Sequence, residues 1–209
     1  MEVQKYTDKM KILVTHVYSN HNKGDAALLS VLLDDLKRGF SNPDITILTL
    51  DQIESGETFD GEKMENSFMH YARDKYSNIL LKIGYALYVL IYTFIWAILY
   101  RFFSLDLNFN DSIHKVIKSY KEADLIVTVG GGYIRSQSGF NGTFILVFIL
   151  HPILFASIIG KTTVGYSQSV GPFGTKLQEK LAKFVVNKMK GIVLREKISE
   201  EILKQWGQN

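Results

Sequence analysis

Four short polar stretches carry the side chains that could do chemistry. They are Asn22-Lys23-Gly24-Asp25, Gly130-Gly131-Gly132-Tyr133, Gln168-Ser169-Val170-Gly171-Pro172-Phe173 and Arg195-Glu196-Lys197-Ile198-Ser199. Each follows an inferred strand, and the strands before the first two are apolar, β-branched runs of the kind that forms a buried parallel strand. Glycine lacks a Cβ, so backbone N–H groups at Gly24, Gly130, Gly131, Gly132 and Gly171 can come close to an anion or a sugar. Asn22, Tyr133, Gln168 and Ser169 add amide and hydroxyl groups. Arg195 could clamp a carboxylate or phosphate in bidentate fashion, or pair with Glu196 or Glu200. Asp25 is the carboxylate placed to act as a base, or to cap the helix after it. The triple glycine serves equally as a tight strand-to-helix turn. Taken together, these groups make a surface for a polyhydroxylated or anionic ligand.

Several chemistries are disfavoured. The chain has 209 residues and no cysteine, which removes disulfides, thiolate metal ligands and a cysteine nucleophile and suits a reducing cytoplasm. No metal-ligand spacing, paired carboxylates or Ser/His/Asp order stands out, and no metal or bound cofactor is expected. The first loop is not Gly-x-Gly-x-x-Gly and no Gly-Lys-Ser/Thr occurs, so nucleotide cofactors of those classes lose weight. A formal net charge of +3 is too small to argue for nucleic acid. The polar start, Met1 to Met10, shows no secretory signal.

The elements that must position these loops follow from apolar spacing. Strands are expected at Lys11–Val17, Asp44–Leu50, Ala123–Val129, Thr162–Ser167 and Gly191–Leu194. A helix is expected from about Ala26 to Lys37, capped by Asp25 and facing the sheet with Leu28, Val31, Leu32 and Leu36. Another spans Asp111 to Lys121 with Ile113, Val116, Ile117 and Tyr120 on one side. A third carries Leu177, Leu181, Phe184, Val185 and Met189 on its inner face. Ser199 caps a last helix that Gly207 ends. Residues 51 to 77 read as a loop with a short helix. The strand–helix alternation gives a parallel α/β sheet flanked by helices, Rossmann-like, in one domain over residues 1–209. Open sheets of this class bind ligands at the carboxyl ends of their strands, where all four loops emerge.

One stretch stands apart. Ile83 to Tyr100 contains no charge and is bracketed by Lys82 and Arg101, within an apolar helical segment over 79–105. A second apolar segment runs from Phe144 to Ile159. At about 1.5 Å per residue the first nearly spans a bilayer core. A crossing there would put the first two strands and the Asp124 strand on opposite sides of the membrane, and one sheet could not form. The expectation is a helix that is buried, or that docks on a membrane face or on a further domain.

With these pieces laid out, the chain resembles the polysaccharide pyruvyl transferase family. The resemblance rests on Asn22-Lys-Gly24-Asp25 before a helix, Ala123-Asp124 with the triple glycine, Gly160-Lys161 before a strand, Ser167-Gln168-Ser169-Val170-Gly171-Pro172-Phe173, and Arg195-Glu196-Lys-Ile-Ser199 with Leu203 and Gly207 beyond. It covers the amino-terminal half of the family pattern. The resemblance implies a glycosyltransferase-B-like architecture of two Rossmann-like domains with the site between them. It implies transfer of a pyruvyl group from phosphoenolpyruvate to a sugar or lipid-linked oligosaccharide of a cell-surface polysaccharide. The acceptor would lie against this domain, and the basic residues gripping phosphoenolpyruvate would come largely from a carboxyl-terminal domain. Without that domain, the 209-residue chain is expected to be inactive alone. Arg135 departs from the more neutral or acidic residue expected after the glycines. The apolar helices fit work in the cytoplasm at the inner face of the membrane. Two other readings stay open: a non-catalytic sugar- or nucleotide-binding α/β domain, and a small membrane-associated protein.

Overall fold

The computed structural model describes residues 9–18, 22–54, 56–68, 70, 78–130 and 134–207. The strands are β1 (Lys11–Val17), β2 (Asp44–Thr49), β3 (Thr58–Phe59), β4 (Glu62–Asn66), β5 (Leu125–Val129), β6 (Ile134–Ser136), β7 (Thr162–Gln168), β8 (Val170–Phe173) and β9 (Gly191–Leu194). The helices are α1 (Lys23–Gly39), α2 (Ile79–Phe103), α3 (Asp111–Glu122), α4 (Phe140–Ile158), α5 (Lys176–Val186) and α6 (Lys197–Gln205). Seven strands form one sheet in the order β3-β4-β2-β1-β5-β7-β9. All its pairings are parallel except β3 with β4. The fold is a Rossmann-like α/β sheet with helices on both faces.

Strand periodicity sorts the core. Ile12 and Val14 of β1 pack with Leu29, Leu32, Leu33 and Leu36 of α1 on one face. Leu13, Leu48 and Ile126 point the other way, onto Ile113, Val116, Ile117 and Tyr120 of α3 and Phe155 of α4. The α3 stripe is the one its sequence spacing predicts. β6 and β8 form a separate parallel pair, and their Ile134 and Val170 join Leu146 and Leu150 of α4, Val185 of α5 and Leu203 of α6 in a third cluster.

Several expectations need correction. Helix α1 begins at Lys23 rather than near Ala26, because the Asn22 side chain accepts the Gly24 N–H at 3.0 Å. Asn22 is therefore the N-cap, and Asp25 lies within the first turn. The inner stripe of α1 uses Leu29 and Leu33, whereas Val31 is 51% exposed. The run Leu28-Leu29-Ser30-Val31-Leu32-Leu33 offers two overlapping apolar stripes, and spacing alone does not choose between them. Part of the stretch read as loop and short helix is the β3–β4 hairpin. Its strand Glu62–Asn66 hides from hydropathy because Met64 is its one apolar residue. The buried Glu65 carboxylate is compensated there by Lys63 at 2.7 Å and by the Ser119 hydroxyl at 2.6 Å.

Gln168 to Phe173 is not a free loop, since Val170–Phe173 is strand β8. Helix α5 turns Gln178, Ala182, Val185 and Val186 inward, while Leu177 and Phe184 are 72% and 53% exposed. Gln178 is inside because it closes a capping box with Thr175 and donates to the Gln137 carbonyl and the Thr143 hydroxyl. The last helix is N-capped by Glu196 rather than Ser199. Ser199 is fully buried, and its hydroxyl accepts the Val170 N–H at 2.8 Å, tying α6 to β8. Gly207, at φ +81°, follows the end of that helix as expected.

Among the described residues, two helices, α2 and α4, are long and apolar enough to cross a membrane by length and composition. Yet β1, before α2, pairs directly with β5, after it, and β5 pairs with β7, after α4. Strands joined in one sheet share one side of any bilayer, so neither helix separates them.

Candidate functional site

The carboxyl ends of β1, β5, β7 and β9 lie side by side along one edge of the sheet. With neighbouring strands about 4.8 Å apart, the row from β1 to β9 is roughly 14 Å wide. It begins with Asn22 and Asp25, at the start of the helix after β1. It ends with Arg195, just after β9.

The middle of the row is tightly built. The Gly130 N–H donates to the Tyr166 carbonyl at 2.7 Å. A β-carbon on Gly130 would stand 1.8 Å from the Ser167 carbonyl oxygen, so no larger residue fits. Ser167 itself has φ +54°. The buried Gln168 side chain turns inward and donates from Nε2 to the Thr128 carbonyl at 2.9 Å and to its hydroxyl at 3.0 Å. Gln168 thus locks β7 to β5 through its amide, and its side chain faces the sheet. Ser169 is also buried, and its hydroxyl has no hydrogen-bond partner among the described residues. Gly171, at φ +76°, packs against Ile202 of α6, whose Cδ1 would lie 2.6 Å from an added β-carbon. Gly131, Gly132 and Tyr133 fall outside the described residues.

At the flanks, Asp25 is half-buried in the first turn of α1, where the helix dipole favours its negative charge. Arg195 is exposed, and its backbone N–H donates to the Gln168 carbonyl at 3.0 Å. Gly130, Gln168 and Ser169 therefore come together. Asp25 and Arg195 sit at opposite ends of the row, too far apart to grip one atom.

Nothing in the sequence pattern singles out His16, and the structure places it at this edge. It sits at φ +65° in β1, where the strand's register shifts. The Ile149 carbonyl, 2.7 Å from Nε2, can only accept, so Nε2 carries the ring proton. Nδ1 then accepts from the Thr15 hydroxyl at 3.0 Å. Burial pushes the His16 pKa down, against the pull of the Ile149 hydrogen bond. A lone histidine after an apolar run gives no signal of this; only the neighbouring α4 carbonyl does. His16 also borders an apolar cavity of about 210 Å³, with Thr15, Tyr18, Ser67, Ile145 and Pro152 among its walls.

Lys161 has a structural place: its ammonium donates to the Lys121 and Ala123 carbonyls at the carboxyl end of α3. The motif Gly160-Lys161 thus joins β7 to that helix end, with Gly160 at φ +80°.

The family model for polysaccharide pyruvyl transferase matches residues 22–209, from the first candidate loop to the last residue. The chain belongs to the polysaccharide pyruvyl transferase family. All four loops of the edge fall within the matched span. Neither the curated proteins nor the solved structures yield a match. As a polysaccharide pyruvyl transferase family member, the chain presents its candidate loops on one side of one sheet, where open α/β folds bind their ligands.

Proposed function

We propose that this protein takes part in pyruvyl transfer from phosphoenolpyruvate to a sugar of a cell-surface polysaccharide, with the sugar bound along the β1–β5–β7–β9 edge. The observation that carries the reading is the family match over residues 22–209 together with the alignment of its four loops on that edge. In ketal formation C2 of phosphoenolpyruvate gains two C–O bonds to sugar oxygens and loses phosphate. Of the two hydroxyl protons, one ends on the methylene carbon, making a methyl group, and the other leaves with phosphate.

In this reading Asp25 takes a hydroxyl proton from the acceptor. Asn22 is the N-cap of α1, and Asp25 lies in the first turn that follows it. Asn22, Ser169 and backbone groups beside Gly24, Gly130 and Gly171 orient the sugar. Arg195 faces the carboxylate or phosphate of the donor. Further basic groups for the donor belong to a second Rossmann-like domain closing over this edge, in a glycosyltransferase-B-like arrangement.

The test is to incubate the protein, at the length its native cell makes, with phosphoenolpyruvate and candidate oligosaccharides. Phosphate release matched by a carboxyethylidene gain on the acceptor is expected. Asp25→Asn should cut the rate at least ~100-fold, as for loss of a positioned general base. Acceptor binding without phosphate release would replace the transferase by a sugar-binding domain.

A further inference from the structure

Helix α2 is a surface helix with its polarity inverted. Its inner side is Ala86, Val89, Thr93, Trp96 and Ala97. At 100° per residue, the opposite stripe holds Leu80, Leu87, Ile91, Phe94, Ile95 and Phe102, all exposed. A surface helix ordinarily turns charges outward. Here Lys82 and Arg101, near the two ends, are the only charged residues in 25. The helix is about 37 Å long.

That ridge continues sideways. An apolar groove of about 290 Å³ lies between α2, α4 and α5, with Ile91 and Phe94 on one wall and Leu154 and Leu181 on the other. Beyond it, Leu177 and Phe184 of α5 flank Leu181 at i−4 and i+3 and stand exposed. Lys176, Lys180 and Lys183 border this apolar stripe, and the Lys188 ammonium lies 4.8 Å from the Phe184 ring centroid. The one acidic residue of α5, Glu179, is engaged by the Trp206 indole N–H at 3.2 Å.

We propose that this face, formed by α2, the groove and α5, docks on an anionic lipid bilayer, with the α2 axis in the plane of the membrane. Exposed Leu, Ile and Phe enter the boundary between headgroups and acyl chains, while the bordering lysines meet lipid phosphates. Charge argues for lipid over a second copy. A two-fold contact through this face would set the α5 lysines of one chain near those of the other, with no free carboxylate on α5 to answer them. The sheet argues for docking over crossing, since β1 and β5 pair across α2. α2 runs alongside α4 in the same sense: Ala86 and Leu90 pack with Phe144 and Phe148, while Trp96 meets Phe155. The first turn of α2 and Phe140 therefore lie at the end bearing the strands' carboxyl edge, which docking holds at the bilayer surface. The proposal needs no part of the transferase reading.

The test is flotation of the purified full chain with vesicles of phosphatidylcholine alone or mixed with phosphatidylglycerol. The chain should float with the mixed vesicles at low salt and lose at least ~tenfold in binding at high salt, as surface electrostatics require. Ile91→Gln with Phe94→Gln should lower binding at least ~tenfold through lost apolar insertion. Lys176→Gln with Lys180→Gln and Lys183→Gln should remove the preference for phosphatidylglycerol. All five side chains are peripheral, and circular dichroism verifies that each variant is folded. No flotation of the wild-type chain, or flotation unchanged by both variant sets, overturns the proposal. So does a stable dimer in light scattering that Ile91→Gln with Phe94→Gln dissolves while the wild type ignores vesicles.

Discussion

Gly130 and Ser167 meet backbone to backbone at the ends of adjacent strands, so close that a β-carbon on Gly130 would stand 1.8 Å from the Ser167 carbonyl oxygen. The obstacle is main chain rather than a side chain that could swing aside. Gly130→Ala must therefore part β5 from β7 at the centre of the candidate edge. We expect a loss of at least ~2 kcal/mol in stability, in the range for overpacking a close-packed contact. Urea unfolding measures it. A loss within ~0.5 kcal/mol would mean the two loops do not meet as described.

Gln168 holds the same junction from inside. Its amide N–H groups reach the Thr128 carbonyl and hydroxyl, both buried. Gln168→Leu keeps the bulk and deletes both bonds. We expect a cost of about 1–3 kcal/mol, the usual penalty for leaving buried polar groups unpaired. Thr128→Val should be milder, because it leaves the carbonyl contact intact and removes, besides the Gln168 bond to the hydroxyl, only the long 3.4 Å bond from that hydroxyl to the Val164 carbonyl. Midpoints of chemical denaturation for the two variants, compared with the wild type, decide the order.

Acid should weaken this fold through His151. Its Nε2 lies 2.7 Å from the Thr93 hydroxyl oxygen, and that hydroxyl in turn donates to the Val89 carbonyl at 2.7 Å. The ring therefore donates from Nε2, and its buried Nδ1 has no partner among the described residues. Burial, then the nearby charge of protonated His16, pushes its pKa down to about 4 from 6.5. The unfolded chain binds a proton that the folded chain refuses between those values. Stability is thus full above about pH 6.5 and falls as pH drops towards about 4. The expected loss from pH 7 to pH 5 is up to about 2 kcal/mol from this group. His151→Gln should flatten that slope whatever it does to stability at pH 7. Part of the remaining slope belongs to His16, whose pKa burial also lowers.

Much of this architecture is legible in the sequence, for a physical reason. Parallel strands buried on both faces read as apolar, β-branched runs, so β1, β2 and β5 show themselves, while β7 and the partly exposed edge strand β9 are marked by short Thr/Val and Ile/Val stretches between turn residues. The α3 stripe is legible because its polar positions leave one choice of face. Where apolar residues are dense, as in α1, or where exposed positions are also apolar, as Leu177 and Phe184 in α5, periodicity loses its power to pick a side. β4 is hidden for the opposite reason: it is a polar strand, between β2 and the short β3, whose buried Glu65 depends on Lys63 and Ser119, the latter 54 positions away. The candidate loops are visible as glycines and polar residues after strands. That the Gln168 amide faces inward, and that His16 is locked by an α4 carbonyl, depends on tertiary partners no local pattern names.

Asn22 and Asp25 separate the two meanings of the first loop. The Asn22 side chain accepts the Gly24 N–H at 3.0 Å, and the Asn22 carbonyl accepts the Ala26 N–H at 2.9 Å. The cap is therefore its duty, and Asn22→Ala should cost about 1 kcal/mol. Asp25 contributes charge in the first turn of α1, a favourable but smaller effect, so Asp25→Asn should cost no more than ~1 kcal/mol. If Asp25 serves the acceptor, its substitution should abolish turnover while thermal unfolding shifts little. Asn22→Ala should show the reverse balance: a shift in unfolding, with kcat largely regained at lower temperature, where the helix start is populated, and the lost sugar contact left as a raised KM for the acceptor. Equal losses of stability and activity in both variants would make Asp25 part of the helix cap and leave the proton transfer to another group.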